Sequence, residues 1–448
     1  MKKALILAYD FPPYISVGAQ RPYSWFLHLK EFGIEPIVIT RQWTSINGNN
    51  LDYIAPGNSP EVIEEVNENG VIYGTPYYPN LSNKLLLKYG EKRFKYIRKI
   101  ISGFYEFAQF FWLTGPKKEI YKFANDYLKE NSVDVIIATG DPFILFSYAS
   151  KLSAKFSIPW IADYRDTWSQ SKLRSSNCIL KKLHTILEKK NLRNVTYITT
   201  VSSFIVNQLK QNLPDKNFEI ITNGFNSSEI KDINTITQSS EKLTISFAGT
   251  IYKWHPIESF LSTCNRMLSN GKLNNLNLDF YGTQFSEQQL NKFSEDYIHL
   301  NQLINIHPKI NSIELNKKLA SANIFLLFND YSILGTKIFT YIGIKRKILF
   351  LYSDDEKALE LKKKHYTLEE FSFESKKLQE ELINSTKSGI VVRNDLHLEE
   401  VLSELHDEFV SNKFISCNSQ LTDLYTREKQ VEKLASLISC KIFPQFLE

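Results

Sequence analysis

Residues 161–169 read IADYRDTWS, placing Asp163, Arg165 and Asp166 within four positions and flanking them with Tyr164 and Trp168. Carboxylates and a guanidinium at that spacing can grip a hydroxyl-rich or phosphorylated ligand through charge-assisted hydrogen bonds, with the rings stacking alongside. The same residues fit an Asp/Arg ion pair that pins a loop, and the string alone leaves both open. A second set, Gly249, Thr250 and Lys253, follows the apolar run Leu243–Ala248. A glycine at a strand end lets backbone N–H groups approach an anion, and a nearby lysine supplies the charge a diphosphate needs. A plain strand-to-loop turn carrying a surface lysine has the same sequence. A third set, Lys337, Thr340 and Tyr341, sits where a helix starts after the run Ile324–Phe328. Lysine at a helix N-terminus would complement a phosphate; otherwise it is a solvated side chain.

Elements that could position these groups alternate along the chain. Ala4–Tyr9 is a short continuous apolar run, the pattern of a strand buried on both faces. Trp25, Phe26, Leu29 and Phe32 then recur at helical spacing, with a helix expected from about Pro22 to Phe32 and ended by Gly33. Ile37–Thr40 supplies the next strand. The intervening loop, with Gly18, Gln20 and Arg21, would lie at the strand ends, where open α/β sheets bind ligands. Asp134–Ala138, Trp160–Ala162 and Tyr197–Val201 extend the series. Leu243–Ala248, Leu276–Tyr281, Ile304–His307, Ile324–Phe328 and Ile348–Tyr352 repeat it. The expected organisation is an N-terminal doubly wound domain over 1–225, a polar linker over 226–240 and a second such domain over 241–420. A final amphipathic helix is expected in 421–448, with Leu424, Val431, Leu434 and Leu437 on its apolar face.

Composition narrows the function classes. A chain of 448 residues exceeds what one hydrophobic core usually serves, in line with two domains. The net charge of +5 is too small over this length to argue for nucleic acid as the main partner. The four cysteines, Cys178, Cys264, Cys417 and Cys440, are far apart, so neither a metal site nor a disulfide framework is expected, and a reducing compartment fits. The first apolar run stops at Asp10-Phe11-Pro12-Pro13, too soon for a secretion signal, and no stretch approaches the roughly 18 apolar residues of a membrane span. The expected location is cytoplasmic. Between Leu81 and Phe111, Lys84, Lys88, Lys92, Arg93, Lys95, Arg98 and Lys99 alternate with Leu, Tyr, Phe and Ile. That composition suits a peripheral helix on the anionic inner membrane face, and it also suits a basic solvated face whose other side is core.

Taken in order, PPYISVGAQR (12–21), IIATGDPF (136–143), PWIADYRDTWS (159–169), ITTVSS (198–203), IITNGF (220–225), ISFAGTIY (245–252) and GTKIFTYIGIKRKILF (335–350) resemble the GT-B glycosyltransferases. Within these, the chain is similar to the family 4-like, retaining, nucleotide-sugar-dependent group. The resemblance implies two Rossmann-like domains facing a cleft, with the C-terminal helix returning to the N-terminal domain. It implies an acceptor held by the first domain and a nucleoside-diphosphate sugar held mainly by the second. Arg21, Asp163, Arg165 and Asp166 would then bind acceptor. Gly18, Gly249, Thr250, Ser332, Thr340 and Tyr341 would bind donor, and Asp141, Lys253 and Lys337 would serve catalysis. No metal or cofactor is implied; the nucleotide sugar is a substrate.

Where the family often carries a pair of glutamates, this chain has Ser332 and Thr340. Gly140 stands where a histidine often precedes the acidic-Pro pair, and Thr250 where arginine is frequent. The expected activity is transfer of a sugar to a glycan or lipid-linked glycan, in bacterial surface polysaccharide synthesis. The alternatives are a non-catalytic GT-B protein that binds a glycan or a partner glycosyltransferase, and a sugar-nucleotide epimerase.

Overall fold

A computed structural model describes residues 1–44, 51–170, 178–233, 235–283, 287–366 and 377–443. It divides into two compact units, one of residues 1–222 with 430–448 and one of residues 223–429.

The first unit is built on an eight-stranded sheet: β1 Lys2–Leu7, β2 Ile34–Arg41, β3 Ile63–Val66, β4 Val71–Thr75, β5 Val135–Gly140, β6 Trp160–Tyr164, β7 Tyr197–Thr200 and β8 Phe218–Ile220. Their spatial order is β3-β4-β2-β1-β5-β6-β7-β8, parallel throughout except for the antiparallel edge pair β3/β4. Parallel strands covered on both faces must be apolar along their length, and β1, β5 and β6 accordingly carry an almost unbroken row of buried residues. The strand order reverses between β1 and β5, so the loops leaving these two strands diverge and open a crevice at their C-terminal ends.

The helix after β1 starts earlier than its apolar spacing suggests. It spans Val17–His28, with Ser16 as N-cap accepting from the Ala19 N–H, and Pro22 lies inside it. The large apolar residues begin only at Trp25, so their spacing places the start late, and Pro22, the sixth helical residue, lacks the N–H that would bond the preceding turn. The chain tightens into a 3₁₀ turn, Leu29–Phe32, and Gly33 ends it in the left-handed region, φ 76°.

The second unit carries β9 Leu243–Ala248, β10 Leu276–Tyr281, β11 Ile304–His307, β12 Ile324–Phe328, β13 Lys347–Leu351 and β14 Gly389–Val392, in the order β11-β10-β9-β12-β13-β14, all parallel. This is the doubly wound dinucleotide-fold order, and its reversal falls between β9 and β12. Residues 226–240, read as a linker from their polar composition, carry Ile230 and Ile233 into this unit's core, and Arg346 donates to the Ile236 carbonyl at 2.7 Å.

The C-terminal segment is not one helix. A 3₁₀ turn, Thr422–Tyr425, precedes a helix at Arg427–Ser436 that widens into a π-type turn at Leu437–Ile442. Val431, Leu434, Leu437 and Ile438 are buried against β1 and β5 residues in the first unit's core, whereas Leu424 is half exposed. Residues 444–448 of the expected helix lie outside the described residues. Among the described residues no helix is long and apolar enough to cross a membrane.

Candidate functional site

Each unit gathers unusual polar groups at its own reversal of strand order. In the first unit β1 delivers Asp10 and β5 delivers Asp141. Asp10 Oδ2 accepts from Ser16 Oγ at 3.0 Å, while its buried Oδ1 has no hydrogen-bond partner among the described residues. Burial pushes its carboxyl above the usual range, with the Arg165 guanidinium opposing that shift. Gly18 lies against both groups: a β-carbon there would collide with the Arg165 guanidinium and the Asp10 carboxylate. Arg165 donates from Nε to the Gly140 carbonyl at 2.8 Å and from Nη2 to the Asp141 carbonyl at 2.9 Å, so it fixes the turn that presents Asp141. Beside it opens a cavity of about 270 Å³ lined by Asp141, Lys117, Glu106, Gln109, Asn80 and Asn83, with Tyr53, Tyr77, Tyr105, Phe143 and Trp168 as its aromatic walls. Burial lowers the Lys117 ammonium pKa, and Asp141 counters part of that.

The IADYRDTWS string is divided among separate tasks. Asp163 and Arg21, expected to bind acceptor, are instead paired with each other. Arg21 Nη2 meets Asp163 Oδ1 at 2.8 Å and its Nε lies 3.0 and 3.1 Å from the two carboxylate oxygens. Thr139 and Thr199 donate to the same carboxylate at 3.1 and 2.7 Å, and Arg21 Nη1 donates to the carbonyls of Ile221 and Thr222 at 2.8 and 3.0 Å. Asp163 is fully buried with both oxygens engaged, so the pair clamps β5, β6, β7 and the Val17–His28 helix and has little left for a ligand. Tyr164 donates to the buried Glu188 at 2.9 Å. Trp168 stacks on Phe143 at 5.0 Å and forms cavity wall. Asp166 is exposed. Of the four expected acceptor residues, only Arg165 shapes the crevice.

In the second unit Gly249 follows β9 with φ +98°, a conformation that L side chains rarely adopt. Its N–H is used by the Tyr281 carbonyl at 2.8 Å, so its contribution is space: a β-carbon would lie 3.2 Å from Lys337 Cε. Lys337 is the first residue of the helix Lys337–Ile344, whose opening turn has no acidic residue. Its Nζ lies over the Phe247 ring, 3.9 Å from the centroid, and it has no ion-pair partner among the described residues. Burial drives its pKa down to about 8, with Asp330 pulling in the opposite direction. A half-buried ammonium beside a glycine turn and a helix N-terminus is arranged to receive an anion.

Asp330 leaves β12 on the opposite side of the same reversal. It bonds His255 Nε2 at 2.8 Å and Trp254 Nε1 at 3.2 Å. Because the Tyr252 N–H donates to His255 Nδ1 at 3.1 Å, the imidazole proton sits on Nε2. Burial holds the His255 pKa below its ordinary value, so the ring is neutral. This triad ties loop 252–255 to the end of β12.

Two expected donor ligands are placed elsewhere. Ser332 is buried and bonded to the Tyr366 hydroxyl at 2.8 Å. Tyr341 is buried in the core, its hydroxyl accepting from the Ala248 N–H at 2.9 Å. Thr250 and Thr340 are half-buried, and Lys253 is exposed. Asp10, Lys117, Trp254 and His255 were not singled out by sequence reasoning. Asp10 ends the first apolar run and Trp254-His255 follow the Gly249 turn, both readable strand-end positions; Lys117 has no local signal.

No family model and no curated protein matches the chain. Solved structures do. Sucrose-phosphate synthase from Thermosynechococcus elongatus is 12% identical with a TM-score of 0.57, covering 99% of this chain and 98% of its own. The Anabaena protein HepE, in complex with UDP and glucose, is 9% identical with a TM-score of 0.52, over 98% of this chain and 100% of its own. A protein described as a UDP-N-acetylglucosamine 2-epimerase from Listeria monocytogenes is 9% identical with a TM-score of 0.51, over 99% of this chain and 98% of its own. The chain has the GT-B fold.

Proposed function

We propose that this GT-B protein is a glycosyltransferase that moves a sugar from a nucleoside diphosphate to a glycan or lipid-linked glycan, in bacterial surface polysaccharide assembly. The observation that carries the reading is the half-buried Lys337 beside Gly249 and a helix N-terminus, at the point where ligands bind in such sheets. When the bond between sugar and diphosphate breaks, negative charge grows on the leaving oxygens. A preorganised ammonium and helix-terminal N–H groups stabilise that charge more than the ground state. Lys337 and the helix would do this work without a metal ion, and EDTA is expected to leave turnover unchanged. In the first unit, Asp141 would accept the hydrogen bond of the incoming sugar hydroxyl at the cavity wall. Retention of the donor's anomeric configuration is expected and is read by NMR of the product. Glucose bound with UDP in HepE supports a UDP-hexose as the first donor to test.

A panel of UDP-, GDP- and other nucleotide sugars, assayed for transfer and hydrolysis, tests the reading. Turnover of one donor that is lost in Lys337→Met supports it. The carboxylate-free Ser332 and Thr340 positions favour a second reading, a non-catalytic glycan-binding GT-B protein. Stabilisation by glycans with no nucleotide binding would select that one. Interconversion of a free nucleotide sugar without an acceptor would select an epimerase.

A further inference from the structure

The helix Lys95–Phe111 presents different faces to different surroundings. Tyr105, Glu106, Gln109 and Phe110 line the cavity beside Asp141. On the outside, Tyr96 is 83%, Ile100 74%, Phe104 60% and Phe111 57% exposed, and Trp112 follows at 64%. The helix Cys178–Asn191 continues that surface, since Phe107 meets His184 at 5.1 Å and Lys190 Nζ lies 5.9 Å from the Phe111 centroid. It exposes Ile179, Leu183 and Ile186 at one-face helical spacing. Single exposed apolar side chains are ordinary on a protein surface, but two adjoining helices displaying such stripes are not.

Charge identifies the occupant. Residues 81–113 hold seven basic and two acidic side chains, and Lys84, Lys88, Lys92, Arg93, Lys95 and Lys99 are exposed. The second helix adds exposed Lys181, Lys182, Lys189 and Lys190. A protein partner would need a matching acidic groove; an anionic bilayer accepts apolar insertion and basic charge together. We infer that these two helices seat the protein on an anionic lipid bilayer. Resting on the glycosyltransferase reading, the acceptor is then a membrane-anchored glycolipid whose sugar enters the cavity behind the docked helix. Stacking walls and amide and carboxylate groups in the cavity suit a pyranose, with apolar faces and hydroxyl edges.

The test is co-sedimentation of the full chain with vesicles of phosphatidylcholine alone or with about one-third phosphatidylglycerol. Each basic residue at an anionic surface multiplies partitioning roughly fivefold. Binding to the anionic vesicles is therefore expected to exceed neutral binding at least about tenfold and to fall with salt. The triple variant Lys92→Glu, Lys95→Glu, Lys99→Glu should lose that gain. The triple variant Ile100→Ser, Phe104→Ser, Trp112→Ser should lose binding even at low salt. Both variants should keep the wild-type melting temperature and nucleotide affinity. No binding to anionic vesicles, binding indifferent to anionic lipid, or variants that bind as wild type overturn the inference. So does a dimer in sedimentation that the apolar variant dissolves, since a second copy would then cover the face. Vesicle binding with no nucleotide binding would instead overturn the glycosyltransferase reading and leave the docking surface standing.

Discussion

Lys337 makes the sharpest residue-scale prediction. Its pKa near 8 means that the free protein loses this proton well below the ordinary lysine range. An anion prefers the ammonium, so binding above about pH 8 must take up a proton, and affinity falls by up to about tenfold per pH unit. Calorimetry with UDP from about pH 7 to 9.5 should show that fall, with proton uptake visible across buffers of different ionisation enthalpy. Lys337→Met should bind about 10- to 100-fold more weakly, with a flat profile. A wild-type affinity that stays constant to pH 9.5 refutes the assignment. The folding linkage has the opposite sign: between about pH 8 and 10.5 the unfolded chain holds more protons than the native one, so stability rises with pH there.

Asp163 behaves differently from the ligand-binding residue its string suggests. Asp163→Ala would leave the Arg21 guanidinium buried without its carboxylate, at an expected cost of about 3–5 kcal/mol in urea unfolding. Acceptor KM should remain unchanged at temperatures where the variant is folded. A raised KM at wild-type stability would return Asp163 to the acceptor site. The motif was legible as important from three charges in four positions; its task was not. The groups that saturate Asp163 come from Arg21, 142 positions away, and from Thr139 and Thr199 on neighbouring strands.

At the scale of elements, ten strands are visible in the sequence because two-sided burial demands continuous apolar runs. The missed β3, β8 and β14 lie at sheet edges, and β4, which pairs with the edge strand β3, is only half-buried along most of its length, so none of them needs a continuous apolar run. The C-terminal helix shows how a local pattern locates a face without its partner. Leu434 is 1% exposed in the first unit's core, and Leu434→Ala is expected to cost about 2–5 kcal/mol in that unit's unfolding. A loss below about 0.5 kcal/mol would mean the helix is not docked there. At Gly249, Gly249→Ala combines a strained φ with a displaced Lys337. It should weaken UDP binding in calorimetry and lower the second unit's stability by about 1–3 kcal/mol through the strained φ; unchanged UDP affinity in the folded variant would argue against a role for this turn.

Over the whole molecule, the chain passes from one unit to the other near residue 222 and returns near 430. Truncation after Lys429 removes the buried face of Val431, Leu434 and Ile438 from the first unit alone. Calorimetry of the truncated chain should show the first unit's transition lowered or lost and the second retained. A single unchanged transition would contradict the division. Hydrogen exchange should likewise slow on UDP addition within residues 223–429, most at the ends of β9 and β12. The sequence by itself determined the strands, their alternation with helices and the candidate groups at strand ends, because hydrophobic periodicity and turn chemistry are local. Only the tertiary structure decided which charges remain available. Asp163 and Arg21 neutralise each other and Ser332 and Tyr341 are held by distant partners, while Lys337 stands beside Gly249 where the second unit's strand order reverses. Burial and pairing depend on residues brought together from far along the chain, and a one-dimensional pattern does not carry them.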